Sequence, residues 1–108
     1  MAITVNLRYT GKDGNVLKFA KEMTSSRTVE LIRAEKGNLR YEYHQSLEDP
    51  ETILLIDSWQ DQEAIDVHHA SEMMKTVAEL REKYDLHMRV ERYTGIEDNP
   101  EDERFIRE

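Results

Sequence analysis

Two adjacent histidines, a lone tryptophan upstream of them and an asparagine near the N-terminus are the residues whose types and spacing could do chemistry. In Ile56-Asp57-Ser58-Trp59-Gln60-Asp61-Gln62-Glu63-Ala64-Ile65-Asp66-Val67-His68 an extended segment ends at Trp59, and a helix starting near Asp61 puts Ala64, Ile65 and His68 on its inward side. That places an imidazole over the sheet, close to the indole. Histidine is the residue type that exchanges a proton near neutral pH, which suits a general base. A histidine on such a face also serves often as a hydrogen-bonded core residue. His69 has the same spacing from Ile65 that His68 has from Ala64, so the pair is one signal with two candidates.

Asn6 alternates with Ile3, Val5 and Leu7 on the first strand. If the apolar face of that strand forms the interior between two subunits, Asn6 points into the gap between sheet and helices. There its amide could bind a substrate oxygen or orient O2. Tyr41 and Tyr43 are strand formers first, and their phenols matter only if they reach a pocket, where they could donate to a substrate oxygen. Met73, with Met74, Met88 and Met23, reads as pliable filler suited to lining a pocket for a flat apolar ligand. Metal binding has no support in spacing: no His-Glu-x-x-His occurs, and adjacent His68 and His69 project about 100° apart on a helix. Gly11-Lys12-Asp13-Gly14 lacks the length and ending of a phosphate-binding loop, and no Gly-x-Gly-x-x-Gly is present.

The elements that must position these residues follow from periodicity. Ile3 to Thr10 alternates as a strand. Asn15 or Asp13 can cap a helix with Val16, Phe19, Ala20 and Met23 inward, which weakens at Thr24-Ser25-Ser26, resumes through Val29 and Ile32, and stops at Gly37. Leu39, Tyr41 and Tyr43 mark a second strand, and Asp49-Pro50 a turn. The third strand, Thr52 to Trp59, contains the consecutive apolar residues Ile53 to Ile56, so both of its faces should be covered. In a two-layer chain that cover must come from elsewhere, and a second copy of the chain packed on the sheet face is the simplest source. A helix from Asp61, recapped midway by Ser71, and a last strand from Leu86 to Tyr93 complete the order strand, helix, strand, strand, helix, strand. That order is the duplicated split βαβ unit of a ferredoxin-like α+β sandwich, with an antiparallel sheet under two helices.

The 108 residues hold 15 Lys plus Arg against 23 Asp plus Glu, a net charge of −8, which argues against nucleic acid and acidic membrane surfaces as partners. The absence of cysteine excludes disulfides, thiolate metal sites and a cysteine nucleophile. No secretory signal or membrane span is read, so the expectation is a cytoplasmic protein. Residues 1–94 read as one domain and 95–108 as an acidic tail whose Phe105 and Ile106 could clip onto a neighbouring surface.

From Asp57 to Ser71 the chain resembles the second-helix signature of the antibiotic biosynthesis monooxygenase family, and Glu35-Lys36-Gly37-Asn38-Leu39-Arg40-Tyr41-Glu42-Tyr43 resembles that family's helix-to-strand junction. The nearest group is that of quinol monooxygenases. The resemblance implies a dimeric α/β barrel with one pocket per subunit, and oxygenation of a small quinol or polycyclic phenol by O2 with no cofactor; the alternatives are a dimeric module that binds a small aromatic without turnover, and an isomerase of a small signalling molecule. His68 would be the base, with Asn6 and Tyr41 or Tyr43 holding oxygen atoms, and Trp59, His69 and Met73 lining the substrate. Heme-degrading relatives carry an iron-ligating histidine where this chain has Ala78. Quinol-oxidising relatives tend to carry a second histidine where it has Met73.

Overall fold

The alternating strand signals become four strands of one antiparallel sheet in a computed structural model that describes residues 1–108. These are β1 (Ile3–Thr10), β2 (Asn38–Gln45), β3 (Thr52–Trp59) and β4 (His87–Thr94), arranged in the order β2-β3-β1-β4. Four helices connect them: α1 (Asn15–Ser25) and α2 (Thr28–Arg33) after β1, and α3 (Gln62–His69) and α4 (Met73–Lys83) after β3. This is the ferredoxin-like α+β sandwich that the element order predicts. Its sheet is open, and no barrel is closed by the single chain.

Each expected long helix is two short ones. Thr24-Ser25-Ser26 does more than weaken the first: Arg27 sits at φ 67, a left-handed conformation that ends α1 and starts α2 at a new angle. Ser71 does not recap the second, because its hydroxyl is buried without a partner. Neither Asn15 nor Asp13 caps α1. Gly14 holds the cap position with φ 75, and the Asn15 amide instead donates to the Tyr84 carbonyl at 3.1 Å.

Register decides what meets the helices. Leu7 faces Leu55 on β3 and Val90 on β4, while Val5 faces Asp57 and Arg92, and Tyr41 of β2 faces Asp57 from the other side. Tyr41, Asp57, Val5 and Arg92 therefore form one row across the sheet on the face beneath the helices. Leu7, Tyr9, Ile53, Leu55 and Trp59 are buried there against Val16, Phe19, Met23, Ile32, Ile65, Val77 and Leu80. The apolar face of β1 thus packs on its own helices. Asn6, Thr4, Leu54, Ile56 and Ser58 occupy the opposite, outer face. Leu54 and Ile56 are half-buried there, whereas inward Ile53 and Leu55 are fully buried. After β4 every residue from 95 to 108 is exposed, including Phe105 and Ile106, and the only regular structure is a 3-10 turn over Pro100–Phe105. No helix is long and apolar enough to cross a membrane.

Candidate active site

The end of β3 and the start of α3 build the site. Asp61, directly after the strand, accepts a hydrogen bond from the Ala64 amide at 2.9 Å and so fixes where α3 begins. From that start the helix turns Ala64, Ile65 and His68 inward. His68 is only 3% exposed, and its ring lies 4.7 Å from that of Trp59 at an interplanar angle of 31°. Its Nδ1 is 2.8 Å from the Glu35 carboxylate, a partner that sequence spacing does not reveal. Glu35 reaches it because Gly37, at φ 88, reverses the chain between α2 and β2 against α3. A Cβ on Gly37 would stand 2.7 Å from that of Ala64, so only glycine allows this approach. The Glu35 carboxylate engages the Nδ1 edge, which fixes the imidazole's orientation and leaves Nε2 without a partner on the chain.

His68 forms part of the wall of a cavity of about 250 Å³ between the sheet and helices α3 and α4. Val5, Leu7, Leu55, Ile65, Met74 and Val77 give it an apolar lining, and Met88 and Val90 flank its β4 side. Its polar groups are Tyr41, Asp57, His68, His69, Arg81 and Arg92. Asp57 accepts from the Trp59 indole at 2.6 Å. Burial above all pushes its pKa up to about 6, against the pull of His68 and of the indole bond. Burial likewise raises the Tyr41 phenol well beyond its ordinary value, so it stays a protonated donor. Partial burial of the His69 ring, and then His68 beside it, lower the His69 pKa. Arg81 donates from Nε at 3.0 Å and from Nη2 at 2.7 Å to the Tyr9 hydroxyl, which ties α4 to β1. No group of three or more His, Asp or Glu side chains is arranged to hold a metal ion.

The structure therefore brings together His68, His69 and Tyr41. Both histidines line the cavity, His68 as a buried wall and His69 as an exposed rim. Trp59 stands behind His68 and Asp57 instead of lining the space. Tyr43 packs edge-on against Phe19 and Tyr41, with its hydroxyl 3.4 Å from that of Tyr41, and lies outside the cavity. Met74 lines it where Met73 was expected, because α4 begins at Met73 and its first turn presents the next residue. The expectation that Asn6 shares the space of His68 requires the apolar face of β1 to look away from the helices. It looks toward them, so the sheet separates the two residues. Glu35, Asp57, Tyr9 and Arg81 were not singled out by residue type and spacing. Only the helix-to-strand junction around Gly37 hinted at the first of them.

A two-layer α+β domain with one half-open, mixed apolar and charged cavity under paired helices defines the class of protein. The chain belongs to the antibiotic biosynthesis monooxygenase family, whose model matches residues 2–80. A conserved protein from Methanosarcina mazei superposes with a TM-score of 0.75 at 26% identity, covering 86% of this chain and 91% of that one. A Pseudomonas aeruginosa protein superposes at 0.76 with 23% identity, covering 89% and 95%. SnoaB from Streptomyces nogalater, described as a cofactor-independent oxygenase, shares the fold with a TM-score of 0.75 at 16% identity, covering 92% and 97%. A search of functionally curated proteins gives no match.

Proposed function

We propose that the chain is a cofactor-independent monooxygenase that oxidises a small quinol or polycyclic phenol with O2. The observation that carries this reading is the buried Glu35–His68 pair at 2.8 Å, which orients a ring nitrogen without a partner at the wall of an apolar cavity. A phenol bound there loses its proton to His68 Nε2, and the resulting phenolate is electron-rich enough to reduce O2. One oxygen atom ends on the ring and the other in water, and the substrate supplies all the electrons, so no flavin or metal is required. Tyr41 donates to a substrate oxygen, and the apolar wall excludes water. Family membership and the likeness to a cofactor-independent oxygenase support the reading.

The proposal includes a homodimer formed through the outer sheet face. Leu54 and Ile56 are left half-buried on that face beside Asn6, a partly apolar surface that a second layer would cover. Asn6 then serves assembly.

The test is oxygen uptake by the purified protein with hydroquinones and polycyclic phenols, corrected for autoxidation. His68→Ala should lower kcat by about 100-fold or more, within the span usual for loss of a general base. Glu35→Gln should lower it about 10-fold with KM nearly unchanged, since it disturbs only the orientation of the base. Uptake that is indifferent to both substitutions would remove the base assignment. No uptake at all would leave a ligand-binding module.

A further inference from the structure

The cavity wall carries two guanidinium groups, Arg81 and Arg92, that are in no ion pair. Arg81 forms no ion pair, although the chain has 23 acidic residues. Its bonds to Tyr9 engage only Nε and Nη2, so Nη1 has no partner on the chain. Arg92, across the sheet from Val5, bonds only to the neutral Gln62 side chain. The one acid on the wall, Asp57, accepts from the Trp59 indole and feels the Arg81 charge, but makes no ion pair with it. In a protein of net charge −8, two guanidinium groups against one carboxylate on an otherwise apolar wall are a local excess of positive charge. Tyr9 is fully buried and holds the Arg81 head in place, so the cation is fixed in position before any ligand arrives.

We infer that the ligand of this cavity is a one- or two-ring aromatic that carries an anionic oxygen group, a carboxylate or an acidic phenolate, held by Arg81 with Arg92 at the open side. The inference rests on reading this cavity as the substrate site and adds the charge of the substrate. Arginine suits the task because its planar fork meets a carboxylate through two parallel hydrogen bonds. The volume of about 250 Å³ lies just below the ~300–1,000 Å³ typical of drug-sized ligands and accommodates a small ring system. The apolar wall takes the ring face, the guanidinium groups take the anion, and a ligand so anchored presents its far edge to the His68 side.

Equilibrium binding of naphthoate and of its neutral counterpart naphthamide separates charge from shape. Trp59, the only tryptophan, packs behind two wall residues and reports binding by its fluorescence. Naphthoate should bind the native protein at least tenfold more tightly than naphthamide, and added salt should weaken naphthoate alone. Arg81→Gln should abolish the preference by weakening naphthoate far more than naphthamide, and Arg81→Lys should keep part of it. Tyr9→Phe removes the tie between α4 and β1 but not the charge, so it should retain a preference for naphthoate. If Arg81→Gln fails to fold, Arg92→Gln on the exposed edge strand should show the same effect in smaller degree. Equal binding of the two probes, binding of neither, or an equal loss of both in Arg81→Gln would overturn the inference. Because binding involves no turnover, oxygen uptake without charge preference sinks the anionic ligand alone. Charge preference without uptake sinks the oxygenase reading alone.

Discussion

β3 and β4 are strands of equal length in one sheet, and they sit in opposite environments. Six of the eight residues of β3 are buried and the other two half-buried, whereas all eight of β4 are exposed, including Met88 and Val90 on the face beneath the helices. The difference arises from topology. β3 lies between β2 and β1 with helices packed over it, while β4 is an edge strand beyond their reach. The cavity consequently has one rigid wall that holds Asp57 and His68, backed by Trp59, and one open wall formed by Met88, Val90 and Arg92. On the proposed reading, the groups that hold proton-transfer geometry sit on the closed side, and the ligand enters from the open side.

Breaking the closed wall should have the largest effect. Trp59 is fully buried, stacks on His68 and donates to Asp57. Trp59→Ala should cost about 3–5 kcal/mol of stability in urea unfolding, the range for truncating a large core aromatic. A loss under 1 kcal/mol would mean that the β3 wall is as loose as β4.

The same wall carries a pH dependence. Asp57 titrates near 6 in the folded protein and near 3.8 as its ordinary value, so between those values the folded state binds the extra proton. Stability therefore falls as pH rises from about 4 through about 6, by on the order of 3 kcal/mol, and stays at the lower level above that window. Asp57→Asn keeps an acceptor for the Trp59 indole and removes the titration. Its stability relative to the native chain should accordingly increase between pH 4 and pH 7. A difference that does not change with pH would show that Asp57 is not the strained group.

The contrast between the strands also explains what was legible in the sequence. Alternation at Ile3, Val5, Leu7 and Tyr9, and the run from Ile53 to Ile56, carry period and burial, and these are local signals. They suffice for the sheet and its order. The Glu35–His68 bond joins residues 33 apart, and the Arg81–Tyr9 bond residues 72 apart, and neither spacing has a local signature. Arg81 reads as one more charge at a helix end, and Tyr9 as one more strand aromatic. Asn6 illustrates a different limit. Alternation says which residues share a face but not which face meets the helices, and that one binary choice moves Asn6 from the pocket to the outer surface.

The smallest effect is expected at the open wall, and it sharpens the comparison most. Val90 faces Leu7 in register with Leu55, so Val90 and Leu55 flank the same central residue from the two sides of β1. Leu55 is 1% exposed and Val90 51%. Truncating Leu55 to alanine should cost about 2–5 kcal/mol, whereas Val90→Ala should stay within about 0.5 kcal/mol, the range for surface sites, when both are followed by urea unfolding. If Val90 borders the entrance, the same nearly neutral substitution should weaken aromatic ligand binding severalfold, because the ring loses its contact on that side. A Val90→Ala protein as destabilised as Leu55→Ala would instead mean that β4 is covered in solution. That cover would lie on the helix side of the sheet, not on the outer face of the proposed dimer.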